Sequence, residues 1–253
     1  MTEHVRVTVA ERVTEIELLR PEKKNALTGA MYDAMSEAIA RTEGDPELRV
    51  ALLHGQPDCF TSGNDLADFL AAGTDPARGV DFPAARFLSA IRTARKPLVA
   101  AVGGVAVGIG TTMLLHCELV YAAPGSRFQM PFVPLGLAPE GGSSLLLPLA
   151  AGHARAAELL LLGRPFGPEK AVAAGIVNEI VPEDRLLATA REAARALAAL
   201  PAESVRITKE WLRRPHAAAL EERMAEELRV FGERLHSPEA RAALARFFDR
   251  KRG

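Results

Sequence analysis

The sequence predicts an α/β core followed by an all-helical C-terminal region. Two observations lead there. Between the N-terminus and about residue 200, runs of strand length alternate with stretches of helical spacing. From Pro201 onward only densely charged, amphipathic helical patterns remain. The expected division is a core over residues 1–200 and a helical region over 201–253.

Val5–Val9 and Val13–Leu19 alternate apolar and polar residues, which suits a hairpin of two strands. Met31, Met35 and Ile39 share one face of a helix over Ala30–Thr42. Val50–His54 is a short apolar run, read as a buried strand. Asp65–Ala72 reads as a helix and Gly73–Pro83, with its prolines and glycines, as a loop. A helix over Ala84–Thr93 stops at Lys96-Pro97, and Leu98–Val102 is a second buried strand. Gly110–Cys117 is predicted as an apolar helix and Leu119–Ala122 as a strand. Ser143–Ala150, Ala154–Leu162, Pro168–Ala174 and Glu183–Ala199 are predicted helices. Glu203–Arg213, His216–His236 and Pro238–Arg250 complete the helical end. Their apolar faces exceed what a thin cap needs and suit packing against another subunit; simple packing on the core fits the pattern equally well. No internal repeat is visible.

The chain has 253 residues, 48% hydrophobic and 25% charged, enough for a large core. Lys+Arg 31 against Asp+Glu 32 leaves no bulk attraction to nucleic acid, so no nucleic-acid partner is expected. No apolar run is long enough to span a membrane; the longest, Pro97 to Val107, is broken by Gly103 and Gly104. The N-terminus shows no apolar signal region, and a cytoplasmic location is expected. Cys59 and Cys117 form no disulfide framework and read as buried thiols. His54, His116 and His153 lack partners at ligand spacing, so no metal is expected. Ser143 and Ser144 lack the frame of a serine nucleophile and read as helix caps.

One carboxylate stands out. Leu135-Gly-Leu-Ala-Pro-Glu140-Gly-Gly-Ser-Ser144 places Glu140 in a Gly/Pro turn just before the apolar run Leu145–Leu149. A lone acid in apolar surroundings suits a proton-shuttling base. Two Gly-rich turns upstream, Thr61-Ser-Gly-Asn-Asp65 and Val107-Gly-Ile-Gly110, can offer the amides of Asn64 and Ile109 to an oxyanion. A base with two oxyanion donors is the minimum set for enolate chemistry. The plainer readings are turn glycines at Gly63 and Gly108, and at Glu140 a carboxylate that complements the dipole of the Ser143 helix. Asp65 reads as the cap of the helix it opens.

Four segments in order resemble the crotonase (enoyl-CoA hydratase/isomerase) superfamily. They are Arg20-Pro-Glu-Lys-Lys-Asn-Ala-Leu27, Phe60-Thr-Ser-Gly-Asn-Asp-Leu66, Lys96 to Gly110, and Gly163-Arg-Pro-Phe with Ala173-Ala-Gly-Ile-Val177. The resemblance covers nearly the whole chain. It implies a crotonase-like spiral of ββα units, a C-terminal helical trimerisation region, and a homotrimer or dimer of trimers. It implies an acyl-CoA thioester substrate, with coenzyme A as part of the substrate and no separate cofactor. Asn64 and Ile109 are then the oxyanion donors. Lys24, Ala26, Ser62, Asp65 and Leu66 are expected on the CoA side, and Lys251 is expected to reach a neighbouring subunit's CoA phosphate.

The hydratase branch of the family uses two glutamates to hold a water. Those positions read Thr112 and Phe132 here. What remains is Glu140, in a segment that resembles the peroxisomal-type Δ3,Δ2-enoyl-CoA isomerases and their bacterial relatives. The implied activity is that isomerisation, with Glu140 as the base in an apolar pocket with Phe132 and Leu137. The alternatives are a hydratase or other acyl-CoA lyase, and a catalytically inactive acyl-CoA-binding oligomer.

Overall fold

Residues 2–65 and 82–250 are described by the computed structural model, with side chains to residue 246. The helix expected over Asp65–Ala72, apart from Asp65 itself, and most of the loop Gly73–Pro83 lie outside the described residues, as do Leu66 and Lys251.

The strand-length runs form a six-stranded sheet. It contains β1 (Val5–Ala10), β2 (Val13–Leu18), β3 (Val50–His54), β5 (Leu98–Val102), β7 (Leu119–Ala122) and β9 (Glu179–Ile180), in the order β1-β2-β3-β5-β7-β9. β1 and β2 are the predicted antiparallel hairpin, and every later pairing is parallel. Both faces are covered, which is why the central strands read as unbroken apolar runs. Val50, Leu52, Val99 and Ala101 point to one face, under Ala190, Ala194 and Ala198 of a helix over Leu186–Ala199. Ala51, Leu53, Leu98, Ala100 and Val102 point to the other and join the main core.

A second sheet was not legible in the sequence. It is three-stranded and parallel, with β4 (Cys59–Thr61), β6 (Val105–Val107) and β8 (Arg127–Gln129) in the order β4-β6-β8. Each of its strands follows one of the large sheet: β3 leads to β4, β5 to β6, and β7 to β8. A helix follows each of the last two steps, so the ββα spiral that the family resemblance implies is present although no repeat is visible in the sequence. The steps stack tightly. Gly104 has φ +60°, and a Cβ there would lie 1.6 Å from the Asp58 carbonyl oxygen, so only glycine fits where the two bends cross.

The helices are α1 (Gly29–Gly44), α2 (Pro83–Thr93), α3 (Ile109–Thr112), α4 (Ser143–Ala151), α5 (His153–Leu162), α6 (Pro168–Ala173), α7 (Leu186–Ala199), α8 (Ala202–Arg213), α9 (Ala217–Leu235) and α10 (Pro238–Arg250). The single helix expected over Gly110–Cys117 is instead the short α3, tightened into a 3₁₀ turn over Met113–His116. Phe231 and Leu235 of α9 and Ala240 and Leu244 of α10 are buried in the main core. α8 is tied down by ions: Lys209 and Arg213 lie 2.9 and 2.7 Å from the two oxygens of Glu118. Burial holds the Cys59 and Cys117 thiols protonated, pushed up to about 11 and about 12. No described helix is long and apolar enough to cross a membrane.

Candidate active site

The small sheet carries the two Gly-rich turns at the ends of adjacent strands. β4 runs into Ser62-Gly63-Asn64, and β6 runs into Gly108 and α3. The turns touch: a Cβ on Gly63, at φ +89°, would lie 2.7 Å from the Val107 carbonyl oxygen, and one on Gly110 would lie 2.5 Å from the Thr61 methyl. The chain at Asn64 makes a parallel bridge to Leu27. That bridge uses the Gly63 carbonyl, which accepts Leu27 N–H at 2.8 Å, and Asp65 N–H, which donates to Leu27 at 2.9 Å. Asn64 N–H lies between them and points the other way. It donates to no acceptor among the described residues, and neither does Ile109 N–H at the start of α3. The Asn64 side chain is held by the Tyr32 hydroxyl, which donates to Oδ1 at 2.5 Å.

The segment expected to meet CoA crosses the same turn. Lys24 and Asn25 both have φ +50°, a left-handed step that asparagine tolerates well. Asn25 is fully buried. Its Nδ2 donates to Gln56 Oε1, Cys59 O and Phe60 O, and its Oδ1 accepts Arg20 N–H at 2.7 Å. That latch brings the predicted residues together. Ser62 N–H donates to the Lys24 carbonyl at 2.9 Å, and Arg20 Nη1 reaches both the Ala26 carbonyl at 2.8 Å and Asp65 Oδ2 at 2.7 Å. Lys24 is exposed. Asp65 is therefore ion-paired with Arg20, a partner that the sequence does not announce.

Glu140 is 6% exposed, and its one side-chain hydrogen bond among the described residues comes from the Thr112 hydroxyl. Thr112 ends α3, the helix that Ile109 begins, so this bond ties the acid to the Gly108 turn. Phe132 and Leu137 of the same connecting segment are buried. Burial pushes the Glu140 carboxyl up to about 8; the Thr112 bond opposes the shift and the charge of Glu227 adds to it. The Glu140 side chain caps no amide of α4 among the described residues. α4 begins at Gly142 without a side-chain cap of its own, and Glu227 accepts its first amides, Gly142 N–H at 2.6 Å and Ser144 N–H at 3.0 Å. The expectation that Ser143 caps this helix is also corrected: its hydroxyl turns back to the Glu140 carbonyl at 2.6 Å. His116 is buried, with Nε2 2.7 Å from the Gly141 carbonyl. Burial drops its pKa to about 4, so the ring is neutral, and its proton is on Nε2 because a carbonyl only accepts.

Sequence reasoning missed two of these residues. Thr112 was read only as a lost carboxylate, and its bond joins positions 28 apart. Glu227 sits in a charged helix that reads as solvated. Helical spacing does hold the signal: Met224, Phe231 and Leu235 form the inward stripe, and position 227 falls on it.

A family model described as "Enoyl-CoA hydratase/isomerase" matches residues 8–253. The chain is 36% identical over 214 residues to 1,2-epoxyphenylacetyl-CoA isomerase of Escherichia coli (strain K12), covering 83% of this chain and 82% of that one. It is 35% identical over 253 residues to Enoyl-CoA delta isomerase 2 of Homo sapiens, covering 97% of this chain but only 63% of that protein. Among solved structures, Pseudomonas aeruginosa OdaA superposes with a TM-score of 0.92 at 46% identity, covering 97% of this chain and 99% of that one.

Proposed function

We propose that this chain, which belongs to the enoyl-CoA hydratase/isomerase family, is a Δ3,Δ2-enoyl-CoA isomerase that moves one proton with Glu140. The observation that carries the reading is the state of that carboxylate. It is buried, raised to about 8, bonded to Thr112 and relieved of helix capping by Glu227. The positions where the hydratase branch holds its water carry a hydroxyl and a phenyl ring instead.

The reaction follows from these groups. Ionised Glu140 takes a proton from C2 of a 3-enoyl-CoA. The electron pair runs into the thioester, whose oxygen becomes an enolate held by Asn64 N–H and Ile109 N–H. The carbon–carbon double bond reforms between C2 and C3 as the same acid returns the proton to C4. One carboxyl group suffices, and no water enters. Burial keeps bulk water from the Glu140 carboxyl, and exclusion of water strengthens the oxyanion bonds. The CoA moiety lies over Lys24, Ala26, Ser62 and Asp65. Purified protein given a 3-enoyl-CoA should generate the absorbance of a conjugated enoyl thioester with no added enzyme. Absence of that signal sinks the reading.

Thr112→Ala supplies a signed test. The base must be ionised, so kcat/KM rises with pH through about 8. The Thr112 bond holds that value down, so its loss should move the rise to higher pH, with a smaller loss at the optimum than Glu140→Gln causes. A rise that stays in place means Thr112 does not touch the working base.

The assembly is read as a homotrimer or a dimer of trimers. Supporting it, Trp211 and Leu212 on α8 are 63% and 73% exposed, and Leu149, Leu161 and Leu162 on α4 and α5 also face outward. Sedimentation at micromolar concentration should give the mass of three or six chains; a monomer contradicts this part.

A further inference from the structure

Glu227 is a second buried carboxylate beside the base, and the reaction above does not use it. It is not a second catalytic acid, because one oxygen accepts Gly142 N–H and the other accepts Ser144 N–H. Those bonds complete the clamp on the turn that carries the base. The Glu140 side chain is held by Thr112, the Glu140 carbonyl by Ser143, and the Gly141 carbonyl by His116. Only Glu227 comes from the C-terminal region, 85 positions from Gly142.

An ionised carboxylate offers one acceptor oxygen to each amide, whereas glutamine would bring one acceptor and one donor. The charge that this double capping brings is also felt by Glu140. We propose that Glu227 is a positioning residue for Glu140: from α9 it fixes the Glu140–Ser144 turn through two amides and places a negative charge behind the base. The proposal rests on the reading of Glu140 as the base. It makes the C-terminal region part of the catalytic unit of its own subunit rather than an assembly device alone.

Among the described residues, the groups around the pair are few. Thr112 and Glu227 act on Glu140; Arg223, one turn away on α9, acts on Glu227; His116 packs on Gly141 as a neutral ring. Burial raises the Glu227 carboxyl, and the bonds from Ser144 and Gly142 oppose that. Once ionised, Glu227 raises the proton affinity of Glu140, which makes it a stronger base toward a carbon acid.

The test is kcat and KM for 3-enoyl-CoA isomerisation across pH in wild type, Glu227→Gln and Glu227→Asp. Glu227→Gln should lower kcat by about tenfold with KM within about twofold. It should also shift the rise of kcat/KM to lower pH, opposite in sign to Thr112→Ala. Glu227→Asp keeps the charge and reaches one amide, so its rise should stay in place while kcat falls about threefold. If Glu227→Gln does not fold, Glu227→Asp decides: a lowered kcat at unchanged KM supports the proposal, and a wild-type kcat overturns it. A Glu227→Gln enzyme with unmoved kcat and pH profile overturns the proposal alone. A wild type that does not isomerise removes the isomerase reading and the proposal with it.

Discussion

Glu140→Gln should lower 3-enoyl-CoA isomerisation by about 10²–10⁴-fold while acyl-CoA binding stays near wild type. Glutamine keeps the shape of the side chain, so the change removes little besides the proton acceptor. Steady-state rates and binding titrations of the two proteins supply the comparison. The variant should also gain stability at alkaline pH. The folded carboxyl is pushed up to about 8 against an ordinary 4.5, so between those values the folded state holds a proton that the unfolded state has lost. Stability therefore falls as pH rises through that window, and Glu140→Gln escapes the fall. Melting curves at pH 9 should place the variant above wild type by a few degrees, with the gap closing below pH 4.5. A variant that isomerises at the wild-type rate returns Glu140 to the role of a structural acid.

Gly63→Ala tests the oxyanion donors, which no side-chain deletion can remove. The residue has φ +89°, and the new methyl would meet the Val107 carbonyl oxygen at 2.7 Å. Both are backbone constraints, so the turn itself must shift, and Asn64 N–H shifts with it. The expected loss in kcat/KM is about 10²-fold or more, since one oxyanion donor alone commonly contributes that much. The melting temperature should fall as well, because the bridge to Leu27 uses the neighbouring Gly63 carbonyl and Asp65 amide. A variant with lowered stability but undiminished kcat/KM would show that Asn64 N–H holds no developing charge.

Much of the fold was legible because its signals are local. Val50–His54 and Leu98–Val102 are apolar runs of strand length, and both are central strands of the large sheet. β4, β6 and β8 span three residues each, too few to display a period; β4 and β6 run straight into the Gly-rich turns, and β8 carries no pattern of its own. Those strands aim the two Gly-rich turns at each other, so the sequence located the turns without the frame that joins them. Glu140 was legible because its turn is a recognisable local string. Its hydrogen-bond partner was not, since Thr112 becomes a neighbour only through the tertiary fold. The ion pair of Arg20 with Asp65 crosses 45 positions and was hidden for the same reason. Glu227 was hidden by its company: Glu221, Glu222 and Glu226 in the same helix suggest a solvated face, and only its position on the Met224–Phe231 stripe marks it as buried.

The central claim is that one carboxyl group carries a proton from C2 to C4 in a dry pocket. A 3-enoyl-CoA deuterated at C2 tests it directly, with mass and position of label read on the product of a single turnover. The prediction is a 2-enoyl-CoA with no added water, with part of the label at C4 in wild type and turnover slowed about 10²–10⁴-fold in Glu140→Gln. A product heavier by one water, or an isomer whose label has passed entirely to solvent, would contradict it.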